Sequence, residues 1–348
     1  MGDPQLSTGG ASAHTTIISI NSLLDGKREG LTRQGVSASL QKCWITGPRI
    51  DRTYHEYHKG KYMLPNDEEE QDRLDFLHHI FSKVIGIESP PKPPSSYENS
   101  RFLDLGCGTG IWAIELAQAC PEAFVVGVDL SRIQPDEYPL NCEFYAPFDY
   151  EYPWELGRGT WDMIRLQMGC GSVISWPSLY RRIFVHLCPG GLYEQIELDF
   201  QPRCWDDEID RDSPIYQWYR HLEEATAKSM RPISHSSNET LKGLQKAGFA
   251  QISYRKIDLP IHDWPADEFQ KTIGRWYGKA FYDSIEPLAL AAFSSILEWP
   301  QYKTQRIIAE VKQDIQSRTR LYHHMYIYHA QKRSDVSTDS EAGIRVYS

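Results

Sequence analysis

Short apolar runs alternate with amphipathic segments through the middle of the chain. The runs predict strands at 101–105, 124–129, 142–146, 161–166, 192–198, 249–257 and 321–330. Helices are predicted where apolar residues recur three and four positions apart. The first of them starts after Asp67, which has capping-box spacing to Glu70. Strands that alternate with helices in this way predict an α/β fold with a mostly parallel sheet and helices on both faces.

A glycine-rich turn, Asp104-Leu105-Gly106-Cys107-Gly108-Thr109-Gly110, follows the first strand, and the second strand ends in Asp129. Glycines let the backbone pass close under a ligand, and an acid at the tip of the second strand can accept both hydroxyls of a ribose. A pyrophosphate needs a bare helix N-terminus, so the carboxylate of Asp104 disfavours one there. The turn instead suits a ligand with a cationic amino-acid end, such as S-adenosylmethionine.

Four polar residues fall at the predicted ends of strands: Asp104, Asp129, Asp149 and Gln167. Ligands of parallel sheets sit outside the carboxyl ends of the strands. We therefore expect these four side chains to share one pocket.

Composition excludes several classes of protein. The net charge of −10 does not indicate the basic surface that nucleic-acid binding needs, and no apolar run reaches the length of a membrane span. Seven cysteines without a C-x-x-C pair indicate reduced thiols, not a disulfide frame or a zinc site. The twelve histidines show no metal-ligand spacing, so no metal is expected.

Changes in composition predict the boundaries of the domain. Residues 1–53 are polar and predicted to be flexible, although apolar clusters at 17–20, 23–24 and 43–45 suggest docking on a partner or on the chain's own domain. The folded domain is expected at 54–332, and a disordered tail at 333–348. Two segments interrupt the strand–helix pattern, a largely helical insertion near 201–236 and a helical block near 264–316. Both are rich in Trp and Tyr and are predicted to shape the acceptor side of the pocket.

Several stretches carry a family resemblance. The glycine turn resembles motif I of class I S-adenosylmethionine-dependent methyltransferases, and Cys188-Pro189-Gly190-Gly191, predicted to end a helix before a strand, looks like their PGG turn. Longer blocks resemble the LaeA-like methyltransferases of the fungal velvet complex, a family that includes velvet-interacting protein C. These blocks lie at 62–75, 102–112, 142–149, 166–173 and 230–237. The similarity runs from about Tyr54 to Lys332 and leaves out the N-terminal segment.

The resemblance implies a seven-stranded, Rossmann-like fold with S-adenosylmethionine as cofactor. By position, the loop glycines Gly106, Gly108 and Gly110 would line its methionine end with Asp104 near the ammonium. Asp129, followed by Leu130, would hold the ribose, Asp149 beside Phe148 would meet the adenine, and Gln167 would belong to the cofactor shell. Tyr62 and Arg73 would close over the cofactor from the N-terminal side.

The resemblance also implies a biological role and a location in the cell. The protein would regulate fungal development, sporulation and secondary metabolism, and it would be found in the nucleus and cytoplasm. The expected partner is a velvet-family protein or a sister methyltransferase, and the methyl acceptor a protein.

Alternatives remain at this point. No catalytic base is assigned, because the candidates are better explained by packing or the cofactor shell; they are Tyr54, His55, Tyr62, Gln167 and Cys170. A methyltransferase-fold scaffold that binds cofactor and partners but transfers little is the main competing interpretation. A dinucleotide oxidoreductase is the third, and the glycine spacing and Asp104 disfavour it.

Overall fold

A computed structural model describes residues 52–54, 63–86, 98–334 and 345–347 of the chain. The apolar clusters of the N-terminal segment lie outside the described residues, and so do His55 and Tyr62.

The described residues form strands and helices in alternation through the middle of the chain. The strands are β1 (Arg101–Leu105), β2 (Phe124–Val128), β3 (Cys142–Tyr145), β4 (Trp161–Gln167), β5 (Leu187–Cys204), β6 (Ala250–Pro260), β7 (Leu321–Gln331) and β8 (Arg345–Tyr347). The helices are α1 (Glu68–Ile85), α2 (Ile111–Ala119), α3 (Trp176–His186), α4 (Pro214–Lys228), α5 (Ser237–Ala247), α6 (Glu268–Ala291) and α7 (Gln301–Ser317), with a π-helical turn at Ala292–Ile296.

The strands form one sheet in the order β3-β2-β1-β4-β5-β7-β6-β8. Strands β1 to β5 pair in parallel, and β7 runs antiparallel to both β5 and β6. The chain moves outward from β1 in one direction to β3 and then resumes on the other side at β4. Ligands bind at such a reversal of strand order, outside the carboxyl ends of the strands. The seven-stranded class I arrangement predicted from the sequence is confirmed.

The tail differs from its prediction. We expected disorder over 333–348, but Arg345–Tyr347 form β8, which pairs in parallel with β6. Without β8, the backbone N–H and C=O groups along one side of β6 would form a sheet edge, and such an edge readily pairs with another strand. Three residues are too few to show a strand period in the sequence.

Strand β5 is longer than predicted at both ends. The turn at Cys188–Gly191 does not stop a helix ahead of the strand but lies within β5, where the register against β4 shifts. Gly190, at φ 83°, donates its N–H to the carbonyl of Lys332, and the Lys332 N–H returns a bond to Gly191. At its other end the strand continues to Cys204, so the predicted insertion at 201–236 begins as strand and contains one helix, α4.

Helices cover both faces of the sheet. Helices α3 and α5 pack on one face, around Leu103, Ile164 and Tyr328. Helix α2 packs on the other face against Phe102 and Val125. A further layer on that face, made of α1, α4, α6 and α7, covers the β5 and β7 side chains Ile196, Leu198, Met325 and Ile327. This layer places α1, α4 and α6 beside the carboxyl ends of the central strands.

Local signals explain where the helices begin and end. The Asp67 side chain accepts a hydrogen bond from the Glu70 N–H at the start of α1. Ser236 does the same for Glu239 at the start of α5, which Gly248 ends in the left-handed conformation. The predicted N-caps at Asp67 and Ser236 are therefore confirmed, and the predicted helical block at 264–316 is present as α6, the π-helical turn and α7.

Candidate active site

The glycine turn after β1 forms the base of a cavity at the carboxyl edge of the sheet. Gly106 and Cys107 both donate their N–H groups to the carbonyl of Val128, which ties the turn to the end of β2. Gly110 adopts φ 82°, and a Cβ there would overlap the ring of Phe144. At this position glycine is needed for both conformation and space.

Asp129 is held at the tip of β2 by the turn itself. Its Oδ2 accepts a hydrogen bond from the Gly108 N–H at 2.9 Å, and its Oδ1 accepts one from the Ser131 N–H at 2.8 Å. The two carboxylate oxygens have about four lone-pair sites between them, so these bonds orient the group and leave room for further donors. Asp129 and Leu130 both line the cavity.

Asp149 lines the same cavity, but its predicted neighbour does not. The Asp149 Oδ1 accepts a hydrogen bond from the Glu151 N–H at 2.9 Å. Phe148 instead packs into the hydrophobic cluster under α3, and its N–H bonds to the carbonyl of Asp129. Tyr150 takes the place in the wall that we predicted for Phe148. This segment lies beyond the end of β3 and is not extended strand, so its side chains do not alternate regularly; the residue after Asp149, not the one before it, lines the cavity.

Asp104 lies deepest, at the end of β1. It is buried, and its Oδ1 is 3.5 Å from Nη1 of Arg165 on the neighbouring strand β4. The pKa of Asp104 is raised to about 6: burial is the largest cause, the nearby carboxylates Asp129 and Glu194 add to the increase, and Arg165 opposes it. A buried carboxylate with this surplus of negative neighbours gains from a cationic ligand group.

Helix α1 closes the N-terminal side of the cavity, but not through the predicted residue. Arg73 points away from the cavity: it pairs with Glu70 and donates a hydrogen bond to Ser284 of α6 at 2.8 Å. Leu74, Asp75 and His78 line the cavity in its place. Asp75 accepts a hydrogen bond from Thr109 at 2.5 Å, which fastens α1 to the glycine turn.

One side of the cavity is apolar. We call it the apolar wall, and its members all belong to the cluster packed between α1, α4 and α6: Met63, Leu64, Leu77, Met168, Phe200, Leu222, Ile233 and Leu288. The two segments predicted to shape the acceptor side do supply Leu222, Ile233 and Leu288. Their contribution is aliphatic and not, as predicted, Trp and Tyr: Trp218 is buried in the core and Trp205 is exposed.

None of the described base candidates is a ready proton acceptor. Burial raises the pKa of Tyr54 to about 12, and burial also raises that of Cys170 far above its usual range. Gln167 lines the cavity as predicted, where its Oε1 accepts a hydrogen bond from Nη2 of Arg165 at 2.5 Å. His55 and Tyr62 lie outside the described residues.

Sequence reasoning missed several residues of the site. Arg165 sits between apolar neighbours in β4, and Glu194 and Glu197 are fully buried within β5. Charged residues in the middle of a buried strand are rare, so these residues are a signal that a sequence can offer. Glu197 accepts hydrogen bonds from the N–H groups of Gly169 and Cys170, and so fixes the loop after β4.

The residues of the cavity fit the expected cofactor. Bare glycines lie beside three carboxylates at strand ends, and the deepest carboxylate is buried where a cation would compensate it. Among the described residues, no group of three His, Cys, Asp or Glu side chains is arranged to hold a metal ion. No helix within the described part of the chain has the length and apolarity to cross a membrane.

The fold and this site together define a class of protein, the S-adenosylmethionine-dependent methyltransferases of class I fold. A family model described as a methyltransferase domain matches residues 58–254. The protein-methionine methyltransferase laeA of Emericella nidulans is 51% identical over 282 residues, which cover 81% of this chain and 75% of that protein. The secondary metabolism regulator LAE1 of Cochliobolus heterostrophus is 41% identical over 286 residues, 81% of this chain and 93% of that protein. This chain belongs to the LaeA family of methyltransferases.

Membership of this methyltransferase family makes S-adenosylmethionine the cofactor and sets the oxidoreductase alternative aside. Among solved structures, a phosphoethanolamine N-methyltransferase of Haemonchus contortus aligns over 76% of this chain and 52% of that chain, with 15% identity and a TM-score of 0.44.

Proposed function

We propose that this methyltransferase transfers the methyl group of S-adenosylmethionine to a protein side chain, and that the acceptor is the thioether of methionine. The observation that carries the proposal is the apolar wall, which continues directly from the carboxylates of the cofactor end within one cavity. The printed name of the Emericella nidulans relative, a protein-methionine methyltransferase, points to the same acceptor.

An apolar wall selects among acceptors by the cost of desolvation. A lysine ammonium or a carboxylate would lose its hydration against Leu222, Ile233 and Leu288 without gaining a partner from them. A thioether is apolar and flexible, and it packs well against aliphatic side chains. The wall therefore favours a neutral, soft nucleophile.

The chemistry also matches the finding that none of the described base candidates is a ready proton acceptor. Bound S-adenosylmethionine supplies a methyl group on a sulfonium: as the acceptor's S–CH3 bond forms, the cofactor's S–CH3 bond breaks, the acceptor becomes the sulfonium, and no proton is released. The protein then needs only to position the two reactants. In this proposal Asp129 holds the ribose, Asp149 and Tyr150 meet the adenine, and Asp104 receives the ammonium, while the wall orients the acceptor.

A methyl-transfer assay tests the acceptor. The full chain is incubated with tritium-labelled S-adenosylmethionine and with candidate proteins, each as a pair that differs by one Met→Leu substitution. We expect label only on the Met form, and we expect alkali to release it because a sulfonium is a good leaving group. Label that resists alkali or that persists on the Leu form would overturn the thioether assignment, and no transfer with cofactor bound would favour the scaffold interpretation. Gly108→Val provides the background.

We further infer that the protein acts as a regulator of secondary metabolism and development, in the nucleus and cytoplasm, in complex with a velvet-family protein or a sister methyltransferase. Support comes from the sequence blocks shared with the LaeA-like family and from the regulator names of its relatives. Apolar clusters in the polar N-terminal segment give a physical reason for a partner.

Hydrogen exchange of the full chain with and without the candidate partner tests the complex. New protection in the first 53 residues is expected when the partner is added. Protection that is already complete without the partner would indicate docking on the chain's own domain and would contradict the inference. A fluorescent fusion of the full chain, expected in nucleus and cytoplasm, tests the location.

A further inference from the structure

Four ionisable side chains stand side by side across four neighbouring strands. In the register of the sheet, Asp104 of β1 is paired with Arg165 of β4, Arg165 with Glu194 of β5, and Glu194 with His329 of β7. The contacts are continuous: 3.5 Å from Asp104 Oδ1 to Arg165 Nη1, 3.2 Å from Arg165 Nε to Glu194 Oε1, and 2.8 Å from Glu194 Oε2 to His329 Nε2. We call this row the charge ladder.

The ladder is buried at its inner end and reaches solvent at its outer end. Asp104, Arg165 and Glu194 are 2%, 4% and 0% exposed, whereas the side chain of His329 is 33% exposed. Two buried carboxylates thus share one guanidinium. The guanidinium also lies over the ring of Trp112, 4.6 Å from its centroid, which holds it in the plane of the ladder.

The charges of the buried part of the ladder do not balance without a ligand. Two carboxylates there face a single guanidinium, so with both ionised the buried part carries one negative charge in excess. Buried charge in excess is costly, so the inner end of the ladder, where Asp104 lines the cavity, favours a cation. The other titratable groups nearby are Asp129 beside Asp104, and His78 of α1, which is close to Arg165 and bonded to Glu115 of α2; burial lowers the pKa of His78.

We propose that Arg165 is a positioning residue for the cofactor: it keeps Asp104 ionised and in place to receive a cationic group of S-adenosylmethionine. Glu194 shares the guanidinium of Arg165 and so sets how strongly Arg165 acts on Asp104. This rests on the placement of the methionine end beside Asp104 proposed above.

The two neighbours of Asp104 act on it with opposite sign. Arg165 lowers the pKa of Asp104, and Glu194 raises it. Burial opposes the ionisation of Glu194, but the hydrogen bond with His329 and the charge of Arg165 outweigh burial and lower the pKa of Glu194. Glu194 therefore remains ionised and competes with Asp104 for the guanidinium. Removing Arg165 and removing Glu194 must move the pH dependence of cofactor binding in opposite directions.

Calorimetry of S-adenosylhomocysteine binding to the full chain tests this, because that ligand keeps the ammonium group. In the wild type, affinity should rise with pH and level off above the region near 6, where Asp104 ionises. In Arg165→Met the midpoint should move up by about one pH unit or more, and in Glu194→Gln it should move down. Arg165→Lys retains the positive charge and should move the midpoint less than Arg165→Met.

Asp104→Asn separates this proposal from the placement of the cofactor. This variant should bind S-adenosylhomocysteine weakly, and its affinity should show no change with pH near 6. If the variant keeps the affinity and pH profile of the wild type, the methionine end of the cofactor does not lie beside Asp104. If Asp104→Asn behaves as expected but Arg165→Met and Glu194→Gln move the midpoint in the same direction, or lower affinity equally at every pH, the ladder only supports the fold. If Arg165→Met does not fold, the nearly isosteric Glu194→Gln tests the proposal by itself. In that variant, an unchanged or raised midpoint of the pH dependence of binding overturns the proposal.

Discussion

The two sides of the cavity are built in different ways. One side, which we call the acidic floor, consists of the glycine turn with Asp104, Asp129 and Asp149, all at the ends of neighbouring parallel strands. The apolar wall is assembled from α1, α4, α6, Phe200 of β5 and nearby loops, which are far apart in the chain. Backbone hydrogen bonds and sheet register fix the floor, whereas the wall depends mainly on side-chain packing between elements that are distant in the chain.

Because of this difference, the floor should determine specificity for the cofactor and the wall specificity for the acceptor. The floor has charges and backbone donors at defined positions, so it can discriminate one cofactor sharply. The wall excludes charged groups and holds apolar ones by shape, and a methylene in such a pocket is worth only about 1–3 kcal/mol. Substitutions in the floor should therefore act on cofactor binding with large effects, and substitutions in the wall should act on acceptor use with small ones.

The largest effect is expected for Gly108→Val. Gly108 and Gly159 have similar backbone conformations, φ 56° and 65°, and open space where a Cβ would lie, but only Gly108 lines the cavity. Valine should cost similar stability at both positions, about 1–2 kcal/mol, while only Gly108→Val should abolish cofactor binding by calorimetry. Equal affinities in the two variants would place the cofactor elsewhere.

Asp129→Ala should weaken cofactor binding by about 2–3 kcal/mol, roughly 30- to 150-fold, through the loss of charge-assisted hydrogen bonds to the ribose. Asp129→Asn keeps the shape and should lose less. Because Asp129 also holds the glycine turn, circular dichroism and thermal melting must show that both variants are folded. Affinity of Asp129→Ala within twofold of wild type would refute the assignment.

Asp104→Asn should stabilise the cofactor-free protein while it weakens cofactor binding. The pKa of Asp104, raised to about 6 chiefly by burial, lies above its ordinary value of 3.8, so the folded state holds the proton more tightly than the unfolded state. Ionisation of the buried Asp104 therefore lowers the free energy of unfolding. This loss of stability is absent below about pH 4, grows as the pH rises toward 6, and is complete above pH 6. At pH 8 its removal is worth roughly 2–3 kcal/mol. Chemical denaturation at pH 4 and pH 8 measures the difference, and equal stability of variant and wild type at pH 8 would contradict the account.

The smallest effect is expected in the apolar wall, for Ile233→Val. Ile285→Val is the matched control, because Ile285 belongs to the same hydrophobic cluster but does not line the cavity. Each substitution should cost about 0.5–1.5 kcal/mol of stability. Only Ile233→Val should change kcat/KM for the protein acceptor, by a few-fold, with cofactor affinity unchanged. A change in cofactor affinity instead would mean that the wall packs against the cofactor.

The same contrast explains what the sequence could predict. The glycine turn, Asp104, Asp129, Asp149 and Gln167 were found because each follows a recognisable apolar run, and the chain order places those runs side by side. Phe148 was misplaced by one position because the direction of a side chain after a short strand depends on local backbone geometry. Arg73 was misplaced because its partner, Ser284, lies 211 residues away.

The wall could not be predicted for a related reason. Leu222, Ile233 and Leu288 look like any other core residues in a sequence, and nothing local shows that they border a cavity. Two members of the charge ladder could be recognised from the sequence, because Arg165 and Glu194 are charged residues within predicted strands that are mostly apolar. Their pairing, however, depends on the register shift near Gly190 and Gly191, which the sequence does not reveal.

A crystal structure of the full chain with S-adenosylhomocysteine tests the central claim most directly, that one cavity binds the cofactor on its acidic floor and the acceptor against its apolar wall. The account predicts the ribose hydroxyls on Asp129, the ammonium on Asp104, and the thioether sulfur directed at Met168, Leu222 and Ile233. A cofactor bound in this cavity with its sulfur directed away from those side chains, or bound elsewhere, would contradict the claim.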